Sequence, residues 1–196
     1  MLRSTLAALV LTSLASVASA QSPDAAKAFL EARHDQVNQV LQRAEGASRD
    51  RRLSQLLGDL LDYEALSEAS LGEHWASHSE SERAEFVSLL KQLVERSYKA
   101  NLQRTLDYRV DYQNAERRGE KVIVRTSARS RENRRAPAVS IDYEMVQAGR
   151  NWRVVNVVTD GQSLVQSYRS QFHRILERDG WDGLLGKMRE RLAAGG

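Results

Sequence analysis

The sequence predicts an α+β fold, a twisted antiparallel sheet of about four strands with helices packed on one face. Apolar residues recur at helical period as far as Tyr98, alternate with polar ones between Leu106 and Val158, and return to helical period after Asp160-Gly161. Only short turn-like stretches separate the alternating runs, which favours antiparallel neighbours over long crossovers. No internal repeat, low-complexity linker or composition break divides the chain, so one domain is expected.

The first twenty residues are read separately. Met1-Leu2-Arg3 gives a positive start, Leu6 to Leu14 an apolar stretch, and Ala18-Ser19-Ala20 a small-residue cleavage site. This is the pattern of a secretory signal peptide over 1–20, leaving a mature domain over 21–196. The apolar stretch is shorter than the roughly 20 residues that span a bilayer. The chain has no cysteine, so a lipoprotein anchor and a disulfide framework are both excluded and an ordinary core must hold the fold. A formal net charge of +3, part of it lost with Arg3, is too mild to point to nucleic acid.

From Asp24 to Gly46, Phe29, Val37, Val40, Leu41 and Ala44 recur at helical spacing. A second helix begins near Asp50 and aligns Leu53, Leu56, Leu57, Leu60 and Leu61. A short piece with Leu66 and Leu71 follows, closed by Gly72. Ser79 and Glu82 form a capping-box pattern ahead of Phe86, Leu89, Leu90, Leu93, Val94 and Tyr98, the clearest helix in the sequence.

Four alternating runs come next: Leu106 to Tyr112, Val122 to Ala128, Val139 to Met145, and Trp152 to Val158. Turns are expected around Arg118-Gly119-Glu120, Arg131 to Pro137 and Ala148-Gly149. The last helical stretches carry Leu164, Val165, Tyr168, Phe172, Ile175 and Leu176, then Leu184, Leu185, Met188 and Leu192 after Asp182. Whether the two apolar layers meet in a solid core or leave a cavity does not follow from pattern alone.

Candidate chemistry is thin. His74 and His78 lie four apart and form half of a zinc site, but no second ligand pair accompanies them and Glu73 precedes His74, so HExxH is absent. Gly161-Gln162-Ser163 begins like a nucleophile elbow, yet Val165 occupies the place of the second glycine. Ser163 reads better as a residue of a helical first turn. Asp62 with Glu64, and Asp142 with Glu144, alternate with apolar residues as solvated faces do. Arg125, Arg129 and Arg131, flanked by Arg117, Arg118, Lys121, Arg134 and Arg135, form a basic sheet face or rim. It serves either to keep the edge soluble or to attract phosphate head groups or an acidic partner. No GxxxxGK[ST] loop is present.

The stretch from Trp152 through the Val154 to Val158 run, Asp160-Gly161-Gln162-Ser163-Leu164, and Tyr168-Arg169 to Phe172 is the most specific signal in the chain. Together with Leu71-Gly72 to Trp75, Phe86 to Leu90, and Tyr98, it resembles the toluene-tolerance, or MlaC, family of periplasmic phospholipid-binding proteins. Asn156 stands where members commonly carry aspartate, and the Arg125 to Arg135 hairpin is unusually rich in arginine.

The resemblance implies a non-enzymatic, periplasmic phospholipid carrier, with lipid as cargo and no cofactor or metal. Its partners would be an outer-membrane lipoprotein complex and an inner-membrane ABC transporter complex with a substrate-binding domain. It also implies a dry pocket for acyl tails. Phe86, Leu89, Leu90 and Leu93 can then face Val122, Val124, Val139, Ile141 and Tyr143, with Leu164, Val165, Tyr168 and Phe172 closing the remaining side. Arg169 either locks its helix against a carboxylate or sits at the rim beside the lipid phosphate. The alternative is a periplasmic small-pocket enzyme of the nuclear-transport-factor-like kind acting on an apolar substrate. It would need a buried carboxylate or histidine facing the pocket, whereas Asp107, Asp111 and Asp142 fall on the polar sides of their strands.

Overall fold

The structure, a computed structural model, describes residues 22–101 and 106–194, so the leader read over 1–20 lies outside them. Helix α1 (Pro23–Leu41) begins at Ser22, whose hydroxyl accepts from the Ala25 N–H at 3.1 Å. It ends short of the predicted Gly46, which at φ 148° is the residue that opens α2 (Ala47–Leu60). Asp62 caps α3 (Tyr63–Leu71) by accepting from the Ala65 N–H at 3.0 Å. A 3₁₀ turn (Gly72–Ser77) leads to α4 (Glu80–Ala100), which has the full capping box predicted for Ser79 and Glu82.

Strands β1 (Tyr108–Arg118), β2 (Lys121–Ser130), β3 (Val139–Ala148) and β4 (Asn151–Thr159) form an antiparallel meander, as predicted. A fifth strand, β5 (Gln162–Ser163), adds to β4. The sequence reading missed it because two residues cannot show an alternation. Asp160 (φ 47°) and Gly161 (φ 81°) both take positive φ in the tight turn before it, the mirror-image geometry that matches the twist of paired strands. Asp160 also accepts from the Ser140 N–H at 2.8 Å, tying the turn to β3.

Helix α5 (Leu164–Ala193) then runs to the end of the described chain, bent at Gly180 (φ 68°). Its start is held by a buried side chain. The Asn156 Oδ1 accepts from the Val165 N–H at 3.2 Å and from the Ser163 hydroxyl at 3.1 Å, and Ser163 in turn caps the helix through the Gln166 N–H. Ser163 is therefore the cap of α5.

The helices cover one face of the sheet. Helix α1 lies on β1 and β2, while α2, α3 and α5 reach β4. The edge of β4 is closed by Leu61 and Asp62, whose N–H donates to the Val154 carbonyl at 2.9 Å, and by Arg153, which donates to the Gly58 carbonyl at 2.6 Å. An edge paired in this way offers no template for another chain.

Burial divides into three clusters. Phe86, Leu89 and Leu90 of α4 pack with Tyr63, Leu66 and Leu71 of α3 and with Val165, Phe172, Leu184, Leu185 and Met188 of α5. Val122, Val124, Met145, Trp152 and Val154 of the sheet pack under Ala26 and Leu30 of α1. Val37, Val40, Leu41, Leu53 and Leu56 join α1 to α2. The face-to-face packing expected of Phe86, Leu89, Leu90 and Leu93 against the sheet gives way to packing on α3 and α5, which take up the apolar stripe of α4, while Tyr98 at the end of α4 comes near Tyr143 of β3.

Two consequences are measurable. Leu90, fully buried between helices, should cost about 2–5 kcal/mol when cut to Ala, read by denaturant unfolding. Asn156→Ala should lower stability by about 1–3 kcal/mol in the same assay, since it strands the buried Val165 N–H.

Candidate functional site

On the helix-facing side of the sheet, strand register aligns four rows: Val110, Ala128 and Val139; Tyr112, Thr126 and Ile141; Ala115, Val124, Tyr143 and Val157; Arg117, Val122, Met145 and Val154. Antiparallel partners share a face, so each row is a continuous strip across the strands. The last two rows lie under α1, with Val122, Val124, Met145 and Val154 sealed. In the first three rows cover thins away from β2, since Ala128, Thr126 and Val124 are buried and their neighbours on β1 and β3 are half-buried. Val110, Tyr112, Val139 and Ile141 are only half-buried, as are Tyr143 and Val157 beside them. Apolar surface left open next to a sealed core is the raw material of a binding trough.

Polar groups are few at this end. The Tyr98, Tyr112 and Tyr143 phenols are close enough to affect one another's ionisation. Burial pushes Tyr143 up to about 12 and raises Tyr98 and Tyr112 further, with the charge of an ionised Tyr143 adding to both. His34 meets the Tyr112 hydroxyl through Nδ1 at 2.8 Å. Burial lowers its imidazole below the ordinary value, with Asp35 acting in the opposite direction. The sequence reading did not single out His34. Its signal was present, since His34 sits at helical spacing between Leu30 and Val37 on an otherwise apolar stripe.

A second concavity, of about 590 Å³, opens between α4 and α5 with Leu93, Tyr168, Phe172, Ile175 and Met188 among its walls and Lys187, Glu190 and Arg191 at its polar edge. The Tyr168 and Phe172 rings stack inside it, with centroids 5.4 Å apart. The pocket residues expected from sequence are therefore dispersed rather than gathered around one cavity. Phe86, Leu89, Leu90 and Val165 are helical core, and Val122 and Val124 are sealed sheet core. Val139, Ile141 and Tyr143 border the trough, Leu93, Tyr168 and Phe172 the α4/α5 cleft, and Leu164 is half-buried at the start of α5.

Arg169 is exposed, and its guanidinium lies over Gly72. A Cβ placed on Gly72 would be 2.5 Å from Arg169 Nη2, and the glycine's φ of 60° already disfavours a side chain. The contact is with the backbone of the α3 terminus, and among the described residues no carboxylate pairs with Arg169.

The remaining candidates resolve into structure. Asp62 is a helix cap. Asp142 and Glu144 lie on the outer sheet face, where Arg125 bridges Glu116 at 2.7 Å and Asp142 at 3.7 Å, and Lys121 pairs with Glu144 at 2.8 Å. The basic face expected around Arg125 is thus a lattice of both signs. His78 stacks on Trp181 with centroids 3.6 Å apart, so it does not pair with His74. Instead His74 meets His173, Nε2 to Nδ1 at 3.2 Å, a partner 99 residues away.

The family model described as MlaC protein matches residues 30–190. Among solved structures, the phospholipid-binding protein from Ralstonia solanacearum in complex with a phospholipid has a similar fold, with a TM-score of 0.72. It is 21% identical, over 87% of this chain and 98% of that one. No curated protein matches the chain in sequence.

The tyrosines fix a pH dependence. Each phenol is held neutral in the fold above the value near 10 that it has when unfolded, so the unfolded chain loses its proton first as pH rises. Stability should be intact below about pH 10 and fall as pH climbs toward about 12. Tyr143→Phe should flatten that fall in chemical-denaturation curves recorded across the window.

Proposed function

Because the chain belongs to the MlaC family, we propose that it is a periplasmic carrier that holds a phospholipid by its acyl tails and shuttles it between membrane-bound partners. The observation that carries this reading is the helix-facing side of the sheet, where Val122, Val124 and Met145 are sealed and Val110, Val139, Ile141, Tyr112 and Tyr143 are half-buried. The phospholipid bound by the Ralstonia protein in the same fold supports it. Family and neighbour alike point to a binding protein rather than an enzyme.

The energetics favour an enclosed cargo. At about 0.8 kcal/mol per buried CH₂, a two-chain lipid costs on the order of 20 kcal/mol to pass through water, and a covered trough removes that barrier. A trough that binds lipid about as well as a bilayer does gives no direction by itself. Direction must come from partners, which we take to be an outer-membrane lipoprotein complex and an inner-membrane ABC transporter complex with its substrate-binding domain. The leader over 1–20 supports export to the compartment between them, and no helix among the described residues is long and apolar enough to cross a membrane. Arg169 would hold α5 on the α3 terminus and so keep the trough's surroundings in place.

Protein purified without added lipid should carry about one phospholipid per chain, seen by native mass spectrometry and identified after organic extraction. Lipid-free protein that also takes none from vesicles would overturn the carrier reading. Ile141→Asp should abolish loading while leaving a cooperative melt, because the carboxylate would have to be desolvated against the acyl tails. A folded Ile141→Asp protein with normal lipid would remove β3 from the site.

A further inference from the structure

We propose that His74, His173 and Glu73 form a binding site for a divalent transition metal ion of the zinc class, joining the 3₁₀ turn after α3 to the middle of α5. One ligand atom from each of the three residues lies within 4.8 Å of the others. The two imidazoles face each other nitrogen to nitrogen at 3.2 Å. Two nitrogens bound to one tetrahedral zinc ion, each about 2.0–2.1 Å from the metal, stand about 3.4 Å apart. The pair is therefore already at the spacing a shared ion requires.

A second observation concerns the other side of His173. Its Nε2 lies 3.2 Å from Glu177 Oε1, one helical turn on. In the tautomer that carries its proton on Nε2, beside that carboxylate, Nδ1 keeps a lone pair facing His74. This is the arrangement in which a carboxylate behind a histidine fixes the tautomer and raises the basicity of the metal-facing nitrogen. With Nδ1 of His173 as the acceptor, the metal-free contact takes its proton from His74 Nε2. When the ion enters, that proton moves to His74 Nδ1 and both facing nitrogens are free to ligate.

Glu73 completes a two-histidine, one-carboxylate set, which suits zinc, nickel or copper(II) better than calcium or magnesium. The site is partly exposed, with Glu73 and His173 at the surface and His74 half-buried, so an ion can enter and solvent can complete its coordination. The lipid-binding reading plays no part in this inference, since none of these residues borders the trough.

The test uses untagged mature protein treated with chelator and then titrated with zinc chloride by calorimetry. The expected result is saturable binding of one ion per chain, with a zinc-dependent rise in melting temperature. His74→Ala and His173→Ala should each abolish both signals, and Glu177→Gln should weaken binding by about 10–100-fold. His78→Ala, which alters a histidine stacked on Trp181 outside the cluster, should bind as the parent does. Absence of saturable zinc binding, or parental binding by folded His74→Ala or His173→Ala protein, overturns the proposal.

Discussion

Where α5 begins is decided by one buried amide. The Asn156 oxygen holds the Val165 N–H and the Ser163 hydroxyl, so the chain leaves β4, turns through Asp160-Gly161, and enters the helix at a fixed point and angle. Thirty residues of helix inherit that placement. Phe172, Leu184 and Met188 reach the stripe of α4, Arg169 comes to rest on Gly72, and His173 meets His74 only because the helix starts where it does. The acceptor, not a charge, is what this junction uses, so an amide serves where the resembling family commonly has a carboxylate.

The second constraint is uneven cover. The meander turns one apolar face to the helices, and α1 helps to seal Val122, Val124, Met145 and Val154 while Val110, Tyr112, Val139 and Ile141 stay half-buried. Helix α4, which could have filled that space, is committed to α3 and α5. Solid cores for stability thus coexist with half-buried apolar strand surface that could take a ligand, the division of labour that the proposed lipid carrier requires.

Charge is spent on the opposite face. Arg125, Glu116, Asp142, Lys121 and Glu144 pair across three strands, which keeps an uncovered sheet face solvated. Glu116 is held below its ordinary value first by the Arg125 hydrogen bond, with Arg118 adding to it. These side chains all keep some access to solvent, so their worth lies more in solubility and register than in stability.

Most of the fold was legible from residue order because it rests on local causes. The Ser79 and Glu82 box, the closing Gly72, the four alternating runs and the Asp160-Gly161 turn each act within a few residues, and each is found where the sequence placed it. Gly46 misled because glycine can end one helix or precede the next, and only the path between α1 and α2 selects one.

The site was legible in part. Apolar stripes look the same whether they pack or line a cavity, so Leu90 and Ile141 were indistinguishable until α3 and α5 covered one and left the other half-open. Pairings between distant residues were not readable at all. His74 was matched to His78 by spacing, but Trp181 claims His78 and the course of α5 delivers His173. The sequence by itself determined which residues could be apolar walls, caps and turns, because those properties belong to side chains and near neighbours. The tertiary structure decided which walls face empty space and which histidines meet, because both depend on where a helix is aimed by contacts far away in the chain.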